Sequence, residues 1–178
     1  MRLFIGVKTG CERYLTALQH ELKKHGKGNF TAEANLHMTL KFLGDVPPGK
    51  VRAISDAVTH ANPGAVALYC EGMQVFGRDI ISAKVGGELT KLSALHQSLE
   101  TALEPCGFEA ETRGFKPHIT LVRQFRPFGG FDLSAIHAPR KDFEINEVIL
   151  FESTREAGKL IYKPLFTHRL SITASDLI

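Results

Sequence analysis

The sequence predicts an α+β fold built from two related halves. Three observations carry this. Short apolar strands and amphipathic helices are interleaved without the strict alternation of a parallel doubly wound sheet. Tight Gly- and Pro-containing turns close several of the strands as hairpins. One tetrapeptide pattern, His-x-Thr-Leu, occurs twice, 81 residues apart, close to half of the 178-residue chain. The length suits one domain with a core large enough to need no disulfides, so residues 1–178 are expected to form a single domain of two pseudo-symmetric lobes.

Residues 2–7 (Arg-Leu-Phe-Ile-Gly-Val) read as a buried strand. Leu15, Leu18 and Leu22 lie at helical spacing over 12–25, and Gly26 and Gly28 stop that helix. Residues 36–43 form a strand closed by Gly44-Asp45 and Pro47-Pro48. Val51, Ile54 and Val58 mark a second helix, ended by Asn62-Pro63-Gly64. Residues 66–76 and 79–85 are strands around a Gly77-Arg78 turn. Leu89, Leu92, Leu95, Leu99 and Leu103 define the clearest helix, over 88–104, with Gly107 at its capping position. Residues 117–123 read as a strand, 124–142 as mostly loop, and 145–151 and 160–170 as two late strands.

Composition excludes several classes. Hydrophobic and charged residues make up 43% and 23% of the chain, which is ordinary for a soluble protein and excludes disorder. Cys11, Cys70 and Cys106 are odd in number and form no Cys-x-x-Cys, so neither a disulfide scaffold nor a zinc motif is expected, and a reducing compartment fits. No secretion signal is seen, and no stretch approaches the ~20 apolar residues of a membrane span. The expectation is a cytoplasmic protein with no membrane partner. The net charge of +3 permits a phosphate-bearing partner without requiring one.

The repeated tetrapeptides are His37-Met38-Thr39-Leu40 and His118-Ile119-Thr120-Leu121. Composition alone gives an expectation of about 0.06 such matches, so two by accident is an event on the order of 0.002. On a strand, residues i and i+2 share a face about 6.6 Å apart. Each motif therefore presents an imidazole beside a hydroxyl, and the intervening apolar residues can anchor the strand. If the halves meet about a pseudo-twofold axis, two imidazoles face one cleft. One neutral and one protonated imidazole suit in-line phosphoryl chemistry, and the threonines can hold nonbridging oxygens. The segment from Thr112 to Phe131 holds no acid but contains Arg113, Lys116, Arg123 and Arg126. Strand parity places Lys41 with His37 and Thr39, and Lys116 with His118 and Thr120. Arg123 has the wrong parity and reaches the cleft only if the strand ends or bulges before it. Neither motif brings a second ligand at metal spacing, which counts against a metallohydrolase. A lone histidine is usually structural, so His96, on the apolar face of its helix, is read as a packed core histidine. His20, His25, His60, His137 and His168 are read as surface residues.

At these residues the sequence resembles the 2H phosphoesterase superfamily, and within it the RNA 2′,3′-cyclic phosphodiesterases, also called 2′-5′ RNA ligases. The opening Arg-Leu-Phe-Ile-Gly, the segments Asn35–Gly44 and Gly114–Arg123, and the late strand Glu147–Ser153 are similar to that family. The resemblance implies a bilobal fold with two antiparallel sheets lining a central cleft and helices outside. It implies hydrolysis of an RNA 2′,3′-cyclic phosphate to a 2′-phosphate without metal or cofactor, with 2′-5′ ligation as a possible reverse reaction in vitro. It implies His37 as proton donor and His118 as proton acceptor, with Thr39 and Thr120 beside them. Lys116, Lys41, Arg123 and Phe115 are the expected substrate contacts, RNA with a cyclic phosphate end the expected partner, and a monomer the expected state. The family's tryptophan before the first motif is absent, and Phe30 stands near that place. The competing reading is a non-catalytic RNA-end binding module, against which stand the two intact proton-transfer groups.

Overall fold

The inner strands of the sheet form where apolar residues can be buried on at least one face. The computed structural model describes residues 1–171. β1 (Arg2–Val7) is buried at every position after Arg2. It is followed by α1 (Glu12–His25), which buries Leu15, Leu18 and Leu22. β2 (Gly26–Phe30), β3 (Met38–Asp45) and α2 (Val51–Thr59) come next. β4 (Val66–Phe76) and β5 (Ile80–Gly87) form the expected hairpin. α3 (Leu89–Leu103) buries Leu92, Leu95, Leu99 and Leu103 but leaves Leu89 41% exposed, so its apolar face begins one turn later than the leucine count suggested. β6 (His118–Pro127), β7 (Lys141–Ile145), β8 (Glu147–Glu156) and β9 (Lys159–Arg169) complete the fold.

The strand order is β7-β4-β5-β6-β3-β1-β8-β9, with β2 paired to β6, and every pairing is antiparallel. The order is palindromic about its centre. β3 and β6 are the inner strands, β1 and β5 flank them, then β8 and β4, then β9 and β7. α1 follows β1 as α3 follows β5. The two expected sheets are joined at one residue pair, Met38 opposite Ile119, to make a single sheet. Apolar residues of both halves and all three α-helices share one core.

Three segments differ from the sequence expectation. Gly26 and Gly28 do follow the end of α1, but the chain continues directly into β2. A Cβ at Gly26 would lie 2.4 Å from Phe125 Cζ, and one at Gly28 would lie 2.6 Å from Val122 Cγ2. These glycines permit close approach to β6 rather than merely stopping a helix. β6 runs through residues read as loop, because Gln124 takes a left-handed conformation (φ 53°) that absorbs an extra residue in the pairing with β2. β7 starts within that expected loop, at Lys141 and Asp142, and ends at Ile145, where the first late strand was expected to begin. It is a five-residue strand whose apolar signal is only Phe143 and Ile145 among charged neighbours.

Among the described residues no helix is long and apolar enough to cross a membrane. The three cysteines are free thiols, and burial pushes the Cys70 thiol up to about 12, which makes it a poor nucleophile at neutral pH.

Candidate active site

The single bridge between the halves is also the centre of the site. Antiparallel pairing of Met38 with Ile119 sets His37 across from Thr120 and Thr39 across from His118. Met38 and Ile119 are fully buried. The parity of each strand thus sends the His-Thr pair to one face and the apolar partner into the core. His37, Thr39, His118 and Thr120 all line one cleft of ≈ 830 Å³.

Each imidazole is held in the same way. His37 Nδ1 lies 2.7 Å from the Asn35 carbonyl oxygen, and His118 Nδ1 lies 2.7 Å from that of Lys116. A carbonyl can only accept, so both rings carry their proton on Nδ1 and turn Nε2 away from the strand. His37 Nε2 is 2.9 Å from Thr39 Oγ1. The Asn35 side chain fixes the preceding turn by donating to Leu160 O at 2.9 Å, and Lys8 Nζ donates to the carbonyls of Ala34 and Leu36. An aromatic ring packs against each imidazole from two strands away in the sheet, Phe151 of β8 near His37 (6.3 Å) and Phe76 of β4 near His118 (4.3 Å). His37 is also flanked by Phe4 at 4.9 Å and by Tyr162, edge-on at 5.1 Å. Gly6, opposite Thr39, makes room for this ring, since a Cβ there would lie 2.9 Å from Met38 O and 3.4 Å from His37 Cδ2.

Burial under these rings pulls the His37 pKa down to about 4, more strongly than the Asn35 carbonyl raises it. The positive charges of Lys8 and Arg123, and His118, push in the same direction as burial. His37 is therefore neutral at neutral pH.

The same bulge follows both motifs. β1 pairs Gly6 with Thr39 and Ile5 with Lys41, skipping Leu40. β5 pairs Ser82 with Thr120 and Ile81 with Val122, skipping Leu121. The leucine of each His-x-Thr-Leu is thus the extra residue, and side-chain parity inverts beyond it. Two expectations turn on this. Arg123 meets the condition set for it and lines the cleft. Lys41 does not share the face of Thr39 but is 3% exposed beneath the sheet. There its Nζ donates to Glu100 Oε2 at 2.7 Å and to the Glu109 carbonyl at 2.9 Å. Phe42, five residues after His37 as Arg123 is after His118, takes the corresponding place in the cleft and is 64% exposed.

Two further expectations are corrected. Phe115 is no platform on the cleft surface. It packs against the core and stacks on His96, with ring centroids 4.3 Å apart and planes 8° apart. Lys116 is exposed just before β6, where no strand pairing sets its parity; its carbonyl oxygen accepts from His118 Nδ1. His96 behaves as the packed histidine expected, with Nε2 3.3 Å from Glu100 Oε1.

The cleft's other polar residues were not singled out from sequence. Arg2, Thr31, Ser153, Thr154, Arg155 and Tyr162 come from three different strands and the segment after β2, and only the pairing register brings them together. With Arg123 they make a cleft lined by three arginines and no carboxylate. Among the described residues no group of three or more His, Cys, Asp and Glu is placed to hold a metal ion.

Fold and site together define a cleft enzyme of the two-histidine type, and comparison with known proteins agrees. The profile of the 2'-5' RNA ligase superfamily matches residues 10–155, and the chain belongs to that family. It is 30% identical over 132 residues to an RNA 2',3'-cyclic phosphodiesterase of Geobacillus stearothermophilus, a match covering 70% of this chain and 42% of that protein. It is 29% identical over 177 residues to the RNA 2',3'-cyclic phosphodiesterase of Thermotoga maritima, covering 93% of this chain and 94% of that one. Its fold is similar to that of Escherichia coli LigT in the crystal structure with 3'-AMP, with a TM-score of 0.79 at 24% identity, over 96% of this chain and 98% of that chain.

Proposed function

We propose that this protein is an RNA 2′,3′-cyclic phosphodiesterase that opens the terminal cyclic phosphate to a 2′-phosphomonoester by two-histidine acid–base catalysis. The observation that carries the reading is the Met38–Ile119 bridge, which brings two identically tethered imidazoles and two threonines to one carboxylate-free cleft. His118 Nε2 takes a proton from water, whose oxygen attacks phosphorus. The P–O3′ bond breaks, and His37 delivers a proton from Nε2 to the leaving 3′-oxygen. This order of donor and acceptor follows the family resemblance. His37 must be protonated to act, although burial favours its neutral form. The negative charge of a bound phosphodiester supplies what burial removes, raising the His37 pKa as substrate enters. Thr39 and Thr120 hold nonbridging oxygens, and Arg123 offsets charge gathering on them in the transition state.

The protein works without metal or cofactor, as a monomeric domain of two lobes in the cytoplasm. The ligase reaction uses the same groups, with a 5′-hydroxyl in place of water: its oxygen attacks phosphorus, the P–O3′ bond breaks, and a 2′-5′ phosphodiester forms. The reading is tested with an oligoribonucleotide ending in a 2′,3′-cyclic phosphate, its product followed by phosphorus NMR with and without EDTA. A 2′-phosphomonoester is expected at equal rates in both. A lasting cyclic signal, a 3′-phosphate product, or arrest by EDTA with recovery on added metal would each overturn it.

A further inference from the structure

The cleft does not end at the catalytic strands. Past His37 it continues along β1 and β8 to Arg2, Ser153, Thr154 and Arg155. Arg2 lies opposite Ser153, four residues along β1 from Gly6, the partner of Thr39. At the rise of a strand that is about 13 Å from the reaction centre. One phosphate cannot touch both places, whereas side chains reaching inward from each can meet adjacent phosphates of one strand. Between them stands Phe42, largely exposed, and beside it the rings of Phe4 and Tyr162.

The arginines at this end are free to bind an anion. Arg2 forms no ion pair among the described residues. Asp45, its cross-strand neighbour on β3, makes no contact with it that would satisfy the guanidinium. Arg155 donates Nη1 to Gly158 O at 3.0 Å, which fixes the guanidinium on the β8–β9 turn and leaves further N–H groups unspent. Glu156, the nearest acid in sequence, is taken by Lys163. Ser153 and Thr154 add hydroxyl donors between the two arginines.

We propose that Arg2 and Arg155 form a second phosphate subsite, which binds the phosphodiester one nucleotide inward from the cyclic end and makes oligoribonucleotides better substrates than mononucleotides. This rests on the cyclic-phosphodiesterase reading and names its substrate class. A cyclic mononucleotide fills only the His-Thr centre and leaves this subsite empty.

The test compares kcat/KM for adenosine 2′,3′-cyclic phosphate and for a tri-adenylate ending in the cyclic phosphate. It uses wild type, Arg2→Gln, Arg155→Gln, the double variant, and Arg2→Lys. Wild type should prefer the trinucleotide by about tenfold or more, the scale of one charge-assisted contact. The double variant should lose that preference while its kcat/KM on the mononucleotide stays within about twofold of wild type. The trinucleotide's log–log salt slope should become shallower by roughly 0.7 per phosphate contact removed. Arg2→Lys should recover part of the preference by restoring the charge. Equal kcat/KM on the two substrates in wild type, or equal losses on both in the variants, would overturn the subsite and leave the function standing. Hydrolysis of neither substrate by wild type would instead overturn the function itself.

Discussion

His37 is pulled in two directions. In the proposed mechanism the ring needs a proton to serve the leaving oxygen, yet it sits under Phe4, Phe151 and Tyr162, where burial holds its pKa near 4. A titration followed by NMR of the His37 ring protons should show it neutral down to about pH 4 in the free protein. Saturating inorganic phosphate should move the midpoint upward, because an anion in the cleft favours the imidazolium. A free-protein midpoint at the ordinary ~6.5 would contradict the buried setting. The same shift has a cost in acid. Between the unfolded value of ~6.5 and the folded value the unfolded chain binds the extra proton, so this residue lowers stability as pH falls through that window. The sequence shows the histidine and its threonine plainly, since strand parity needs only local spacing. The lowered pKa could not be read there, because the rings over His37 come from β1, β8 and β9.

At the scale of elements, the two bulges decide what parity alone left wrong or open. Leu40 and Leu121 were legible as core anchors. That each is also an extra residue in its strand depends on the pairing with β1 and β5, which local sequence does not state. Lys41 therefore passes from expected substrate contact to structural cation. It ties β3 to α3 through Glu100 and to the segment before the second motif through the Glu109 carbonyl, while the Glu111 amide donates to Glu100 Oε2 at 3.2 Å. Both side chains are 3% exposed. Lys41→Ala should cost about 3–5 kcal/mol in chemical denaturation, because it leaves the Glu100 carboxylate buried and unpaired. The double variant Lys41→Met/Glu100→Leu should recover most of that loss, since an apolar pair needs no mutual compensation. A single variant as stable as wild type would show that the pair is not what secures α3. β2 and β7 were missed for a related reason. One is rich in glycine and the other in charge, and both take their strand form from partners far away in sequence.

Across the whole molecule the duplication runs deeper than the motifs. The palindromic strand order makes β1 and β5 counterparts, and their sequences agree, with Arg2, Ile5 and Lys8 matched by Arg78, Ile81 and Lys84. Phe151 and Phe76 are matched in space as the rings beside the two histidines. Yet β8 follows the second motif in the chain while β4 precedes it, so no linear repeat reveals that correspondence. The symmetry is broken inside the cleft. Phe42 and Arg123 stand at equivalent positions, and one half of the cleft is aromatic where the other is cationic. The account as a whole stands on two imidazoles acting as one unit. The most direct measurement is single-turnover kinetics of His37→Ala, His118→Ala and the double variant on a cyclic-phosphate-terminated oligoribonucleotide, with binding followed separately by fluorescence anisotropy. Each single variant should lose about 10²–10⁴-fold in rate with binding largely kept, and the double should be little worse than the poorer single. Near-wild-type rates in either single variant would contradict paired histidine catalysis.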